Sequence, residues 1–410
     1  MSAFDAGQFF REQNQRLRRE RRYRVFRRLT REAGQFPRSR WENPANPGRA
    51  RDVTVWCSND YLGMSQHAAV LEASAAALTR YGAGAGGTRN ISGTHDLIAE
   101  LEVELALLHG KGGALVFSSG YVANDTTLAT LGSSLPDCVI FSDANNHASM
   151  IEGIRRSGAQ RRVFAHNNPR ALEAALAAVG PGRPKLVAFE SLYSMDGDIA
   201  PMSELLQVAR AHGALTFVDE THAVGVHGPR GGGLLQAQGL LDQVDFVQGG
   251  LGKGYGVVGG FVTAAAEAID FVRGHAPGFI FTTALPPAVA AGALASVRHL
   301  THSQSERDAL FARVAQLRTA FDAAELPVLA TASQILPLMI GDAARCSEAA
   351  DRLLEEHGIY LQAINFPTVP RGSERLRITP SPLHTDAMQD TLLHGLREVV
   401  GSVKPAAAAA

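Results

Sequence analysis

From about residue 113 the chain alternates short apolar runs with longer stretches of helical period, and this pattern restricts the possible folds sharply. GALVF leads into a helix expected to begin near Gly120. CVIF is followed by NNHASMIEGIRRSG and RRVFAH by PRALEAALAAV; KLVAFE, ALTFVDE, DFVQ and GGFVTA complete the series. Strands alternating with helices predict an α/β architecture, a mostly parallel sheet covered by helices on both faces. Binding loops then belong at the carboxyl ends of the strands. The stretch PPAVAAGALASVRHLTHSQSERDALFARVAQLRTAF predicts long helices leading to a smaller α+β domain, with strands at ILPLMIG, YLQAINF and RLRIT and helices at SEAADRLLEEHG and the C-terminal end. The expected division is an N-terminal helical arm over 1–58, a large domain over 59–295, a small C-terminal domain over 296–403 and a low-complexity tail over 404–410.

Charge and composition narrow the function. A net charge of −1 argues against a nucleic-acid partner. No apolar run reaches membrane-spanning length. Cys57, Cys138 and Cys346 are too widely separated for a disulfide framework or a zinc site and suit a reducing cytoplasm. The Arg-rich segment FREQNQRLRRERRYRVFRRLTRE resembles a presequence in composition. The nearby acids Asp5 and Glu12, and the lack of an apolar core, favour a solvated helix with a charged face. The terminal KPAAAAA reads as disordered or non-native.

Lysine usage picks out one residue. Only Lys111, Lys185, Lys253 and Lys404 occur, and arginine carries nearly all other positive charge. Lys404 lies in the tail, Lys111 follows a helix whose C-terminal dipole suits a cation, and Lys185 opens an apolar run. Lys253 sits in GGLGKGYGVVGG, expected to be a glycine loop that bends freely and leaves the amine uncrowded. An amine can form an imine with an aldehyde; a guanidinium cannot. On its own, Lys253 could equally be a surface lysine.

Other functional groups gather at the expected strand ends. Asp219 ends one strand and His222 follows in the turn. Ser191, Ser194 and Asp196 follow another. Asn146 and His147 stand where a strand gives way to a helix, and Ser119, Gly120 and Tyr121 stand at a helix start whose backbone N–H groups make a phosphate seat. A pyridoxal phosphate enzyme needs this combination: a lysine for the aldehyde, an acid for the pyridine nitrogen, an aromatic group on the ring and donors for the phosphate. Other motifs are weaker. GAGAGG (82–87) matches a dinucleotide fingerprint, but a helical run precedes it. No Walker A or HExxH motif is present. A hydrolase built from Ser194, His222 and Asp219 lacks the Gly-x-Ser-x-Gly elbow.

RYRVF, VWCSNDYLGM, GAGAGGTRNISGT, NHASMIEGIRRSG, FESLYSMDGDIAP, DETHAVGVHGPRGGG, GFIFTTALPP and INFPTVPRGSERLRITPSPLH together resemble the α-oxoamine synthases. These pyridoxal-phosphate enzymes have the aspartate aminotransferase (type I) fold, and the likeness covers roughly residues 20–400. RYRVF, GGTRNISGT and the last motif resemble the branch that makes 5-aminolevulinate. The resemblance implies that Lys253 holds the cofactor and moves protons, with Asp219 on the pyridine nitrogen and His147 on the ring. It places His222 and Ser194 near the ring oxygen, and the Gly120 and Tyr121 backbone on the phosphate. It further implies a homodimer in which Thr282 and Thr283 reach the neighbouring subunit's phosphate. Arg377, aided by Asn59, is implied to hold the glycine carboxylate. Arg24, Thr88, Asn90, Ile91, Ser142 and Thr368 are implied to line the acyl-CoA pocket, with Arg24 on the succinyl carboxylate. Arg24 is expected in a helix. Arg375 and Arg377 are expected on a strand, one facing the site and the other water.

The implied reaction condenses glycine with succinyl-CoA and releases CoA, carbon dioxide and 5-aminolevulinate. About twenty residues precede RYRVF, which implies a bacterial-type cytoplasmic form. Two positions depart from the family pattern. Gly250 stands where the family usually has a phosphate-binding threonine; one lost hydrogen bond to a charged group costs about 1.5–3 kcal/mol if nothing replaces it. His95, Asp96, Leu97 and Ile98 replace a His/Tyr-rich stretch. These departures leave open a secondary-metabolism paralogue that cyclises its product to an aminocyclopentenone, or an α-oxoamine synthase with another amino acid or acyl-CoA. A non-catalytic protein on this fold is disfavoured by the intact Lys253, Asp219 and His147.

Overall fold

The computed structural model describes residues 4–43, 48 and 50–401. Lys404 and the tail beginning there lie outside the described residues. The chain divides into two compact units, one of Asn59–Leu310 and one joining the described residues before 59 to those after 310. The second division therefore falls within the Ser305–Ala323 helix, where 295/296 was expected.

The larger unit is built on a seven-stranded sheet. In spatial order its strands are Gly113–Phe117, Gly260–Ala264, Phe246–Gly250, Leu215–Asp219, Lys185–Glu190, Val139–Asp143 and Gln160–Phe164. Gly260–Ala264 runs antiparallel to both its neighbours, and the remaining pairings are parallel. Successive side chains on a strand point to opposite faces, so the strands Phe246–Gly250, Leu215–Asp219, Lys185–Glu190 and Val139–Asp143 each feed two cores. Phe141, Val187, Phe189, Val218 and Val247 pack on one face. Ile140, Leu186, Ala188, Phe217, Phe246 and Val262 pack on the other. Burial on both faces explains the continuous apolar runs in the sequence. Full burial of each of these phenylalanines is worth about 1.5–3 kcal/mol.

Pairing register aligns the strand ends that carry chemistry. Glu190 pairs with Asp219, and Asp219 with Gln248. Next to them, Gly250 pairs with Gly260, which also pairs with Phe117. Gly249 and Gly250 belong to the strand, not to a freely bending loop. A Cβ on Gly249 would lie 2.3 Å from the Phe261 ring, so this glycine makes room for a core phenylalanine. The Lys111 ammonium does not cap its own helix, Asp96–Leu108. It donates to the carbonyls of Leu241 and Val244 at 2.7 and 2.5 Å.

The smaller unit departs from the expected helical arm. Before residue 59 the helix covers only Ala6–Arg19, capped by Asp5 and without a buried residue. Arg24 lies beyond it in a non-helical segment. Leu29–Thr30, Arg38–Glu42 and Ala50–Val55 form antiparallel strands, and Ile359–Tyr360 joins the last of them in parallel. In Arg38–Glu42 only Ser39 and Trp41 are buried, so the strand signal is submerged among charges. A second sheet has the order Leu336–Met339, Arg375–Ile378, Ala363–Ile364. Arg375 and Arg377 are both buried, at 3% and 6% exposure. Residues two apart share a face of a strand, which rules out the expected division between site and water.

Candidate active site

A cavity of about 270 Å³ opens at the carboxyl ends of the central strands. Asn59, Ser119, Gly120, Tyr121, His147, Asp219, His222 and Lys253, all singled out from the sequence, line it. So do Asn124, Glu190, Thr221 and Gly250.

Asp219 is 4% exposed at its strand end. Its Oδ1 accepts from the Thr221 N–H at 2.7 Å and its Oδ2 from Asn124 Nδ2 at 2.6 Å. Asn124 also donates to Ser149 Oγ at 3.0 Å, and Ser149 Oγ lies 2.7 Å from His147 Nδ1. A buried polar chain thus fixes the carboxylate and the imidazole together. His147 also caps the Ala148–Ser157 helix, accepting from the Ser149 N–H. Burial, and more weakly Lys253, lower the His147 pKa, while Asp219 works against that shift. Its backbone N–H donates to Glu190 Oε1 at 2.6 Å. Burial, reinforced by Asp219, pushes the Glu190 carboxyl well above its usual range.

Lys253 is half-buried, and its Nζ lies 2.6 Å from His222 Nε2. The other ring nitrogen of His222 is 2.7 Å from the hydroxyl of Tyr61, which is fully buried. Tyr61 in turn donates to Asn59 Oδ1 at 3.3 Å. His222 is therefore coupled to Lys253 and Tyr61, which disfavours its service to a serine nucleophile.

The Gly120–Ser134 helix starts at the same cavity. Its cap, Ser119 Oγ, accepts from the Val122 N–H at 3.1 Å. The N–H groups of Gly120 and Tyr121 have no acceptor within the helix, so they and the helix dipole form an anion seat. A Cβ on Gly120 would lie 3.4 Å from Gln248 Nε2, in a cradle shaped for backbone approach. Amine, carboxylate, imidazole and anion seat on one cavity fit pyridoxal phosphate.

Other expected residues lie elsewhere. Ser142 is buried and accepts from Asn146 Nδ2, which also holds the Ala188 carbonyl. Ser191 donates to Glu220. Ser194, Asp196, Thr88, Asn90, Ile91, Thr282 and Thr283 are not on the cavity wall. Thr88 is bridged to Thr283 and donates to Asn90 Oδ1 at 2.8 Å. In the smaller unit Arg24 donates to Thr368 Oγ1 at 3.1 Å, joining two residues assigned to the acyl substrate. Tyr61, Asn124, Glu190 and Thr221 are site residues not expected from the sequence. Asn124 lies in a helix that also carries Asp125, Thr126, Thr127 and Thr130, so its amide does not stand out locally.

Residues 51–396 match the family model for aminotransferase class I and II. The chain is 53% identical over 395 residues to the 5-aminolevulinate synthase of Bradyrhizobium diazoefficiens, covering 96% of each. It is also 53% identical to that of Rhizobium meliloti, covering 96% of this chain and 97% of the relative. A serine palmitoyltransferase variant from S. paucimobilis, with bound PLP and myriocin, superposes with a TM-score of 0.88 at 32% identity, covering 98% of this chain and 99% of that one. The fold and site define a class I and II aminotransferase-type transferase. Within that class, the chain belongs to the 5-aminolevulinate synthase family.

Proposed function

We propose that this chain condenses glycine with succinyl-CoA, using pyridoxal 5′-phosphate, to give 5-aminolevulinate, CoA and carbon dioxide. The convergence of Lys253, Asp219, His147 and the Gly120–Ser134 helix start on one cavity carries the proposal. When bound, the cofactor supplies an electron sink for the glycine α-carbon.

The chain's own groups do the rest. Lys253 would hold the cofactor, and its amine would remove and return protons at the glycine α-carbon. His222, 2.6 Å away, exchanges a proton with that amine, and Tyr61 orients the imidazole. Asp219 pairs with the ring nitrogen while Asn124 and the Thr221 N–H hold its geometry. His147, with its lowered pKa, covers the ring without adding positive charge. The Gly120 and Tyr121 N–H groups bind the phosphate, and Ser194 serves the ring oxygen. Arg377, with Asn59, takes the glycine carboxylate, because a planar guanidinium binds both oxygens. Arg24 takes the succinyl carboxylate. Thr368, Thr88, Asn90, Ile91 and Ser142 serve the acyl-CoA. Thr282 and Thr283 serve the phosphate of a second copy in a homodimer, and the proposed location is the cytoplasm.

Free-thiol release from a panel of acyl-CoAs with glycine tests the reading. Release with succinyl-CoA, and a product of the mass of linear 5-aminolevulinate, are expected. Activity confined to long-chain acyl-CoA rejects the succinyl assignment.

A further inference from the structure

The end of the Phe246–Gly250 strand and the turn after Asp219 compete for one space. A Cβ on Gly250 would lie 2.7 Å from Thr221 Cγ2 and 3.4 Å from Thr221 Oγ1. A side chain at 250 therefore excludes the present placement of Thr221. The methyl of Thr221 fills that space, and its hydroxyl stands beside the first turn of the Gly120–Ser134 helix. A Cβ built on Gly120 would meet Thr221 Oγ1 and the Gly250 Cα at 3.7 Å each. Thr221, Gly250, Gly120 and Tyr121 all line the cavity.

We propose that Thr221 is a phosphate-binding residue of this chain. Its hydroxyl donates to the cofactor phosphate, replacing the donor that the family pattern puts at position 250. The inference rests on the cofactor reading above. In the structure the hydroxyl donates to Gln248 Oε1 at 2.9 Å. Gln248 is fully buried, and its amide donates to the Gly249 carbonyl at 3.0 Å, so that acceptor stays fixed while the hydroxyl rotates. A phosphate dianion is a stronger acceptor than a neutral amide. The Thr221 backbone is meanwhile tied to Asp219. One residue therefore links the ring-nitrogen partner to the phosphate seat.

Equilibrium titration of the apo-protein with pyridoxal phosphate and with pyridoxal, which lacks the phosphate, tests this. Thr221→Val should weaken pyridoxal phosphate binding about 10- to 100-fold. Pyridoxal binding should stay within about twofold, and Thr221→Ser should bind both like the parent. Equal weakening for the two ligands, or none, overturns the proposal. The exchange variant Thr221→Ala/Gly250→Thr should regain about tenfold or more over Thr221→Ala alone. An exchange no tighter than Thr221→Ala also overturns it. A parent protein that takes up neither ligand refutes the cofactor reading itself. That outcome is distinct from a parent that binds tightly and a Thr221→Val variant that matches it.

Discussion

Replacing Glu102 by alanine should loosen the segment that carries Asn90 and Ile91. Arg89 opens a single π-helical turn, Arg89–Gly93. Its guanidinium grips Glu102 through both arms, at 2.8 and 2.9 Å. The same carboxylate accepts from the Val116 N–H at 2.8 Å, which ties the turn to the sheet. The two side chains are only 10% and 14% exposed. Removing one partner of such a pair leaves a buried charge and an orphaned N–H, at a cost of about 3–5 kcal/mol. In a body of this size each kcal/mol lowers the melting temperature by about 2–4 °C, so Glu102→Ala should lose about 6–20 °C. Replacing both partners by apolar residues, Arg89→Met/Glu102→Leu, should recover most of the loss. Differential scanning calorimetry reads the melting shift, and steady-state kinetics should show KM for the acyl-CoA rising more than kcat falls. A melting shift under about 2 °C refutes the reasoning.

Three further outcomes follow. His166 donates to Asp143 and Asp198, both at 2.8 Å. Burial opposes its charge, but the two carboxylates outweigh it and raise its pKa from 6.5 to about 10. The folded value exceeds the unfolded one, so the stabilisation is complete below pH 6.5 and is lost as pH rises through about 10. Urea midpoints of the parent should fall across that window and those of His166→Asn should not; parallel profiles contradict the assignment. Asn124→Leu should lower kcat/KM about 10- to 100-fold by releasing Asp219, while borohydride still fixes the cofactor to Lys253; activity within about twofold of the parent refutes the positioning role. Gly153→Ala should destabilise by about 1–3 kcal/mol, because its Cβ would lie 2.6 Å from the Asp125 carbonyl; an unchanged urea midpoint contradicts that packing.

The central strands were legible because burial on both faces writes them as unbroken apolar runs. The sheet of the smaller unit was not. Arg38–Glu42 buries only alternate residues among exposed charges. The run read as one strand at YLQAINF divides between two sheets, at Ile359–Tyr360 and Ala363–Ile364. In the site, Asp219, His147, Gly120 and Lys253 were legible because the fold sends strand ends to one place. Tyr61 and Asn124 were not, because tertiary packing alone brings them to His222 and Asp219. Gly250 was visible as a departure, but the side chain that fills its space, Thr221, belongs to a neighbouring strand end. Conversely, Thr282 and Thr283 match the family motif yet are absent from the wall of this cavity.

The catalytic assignment of Lys253 is tested most directly by comparing Lys253→Ala with the parent in two readouts on the same preparations. One is the mass fixed by borohydride, located by peptide mapping; the other is CoA thiol release from succinyl-CoA with and without glycine. The parent should carry the cofactor on the Lys253 peptide and release thiol only with glycine. Lys253→Ala should lose the adduct and at least about 100-fold of the rate, the minimum expected for removing a positioned general base. An adduct on Lys111 or Lys185, or a variant that turns over like the parent, contradicts the assignment.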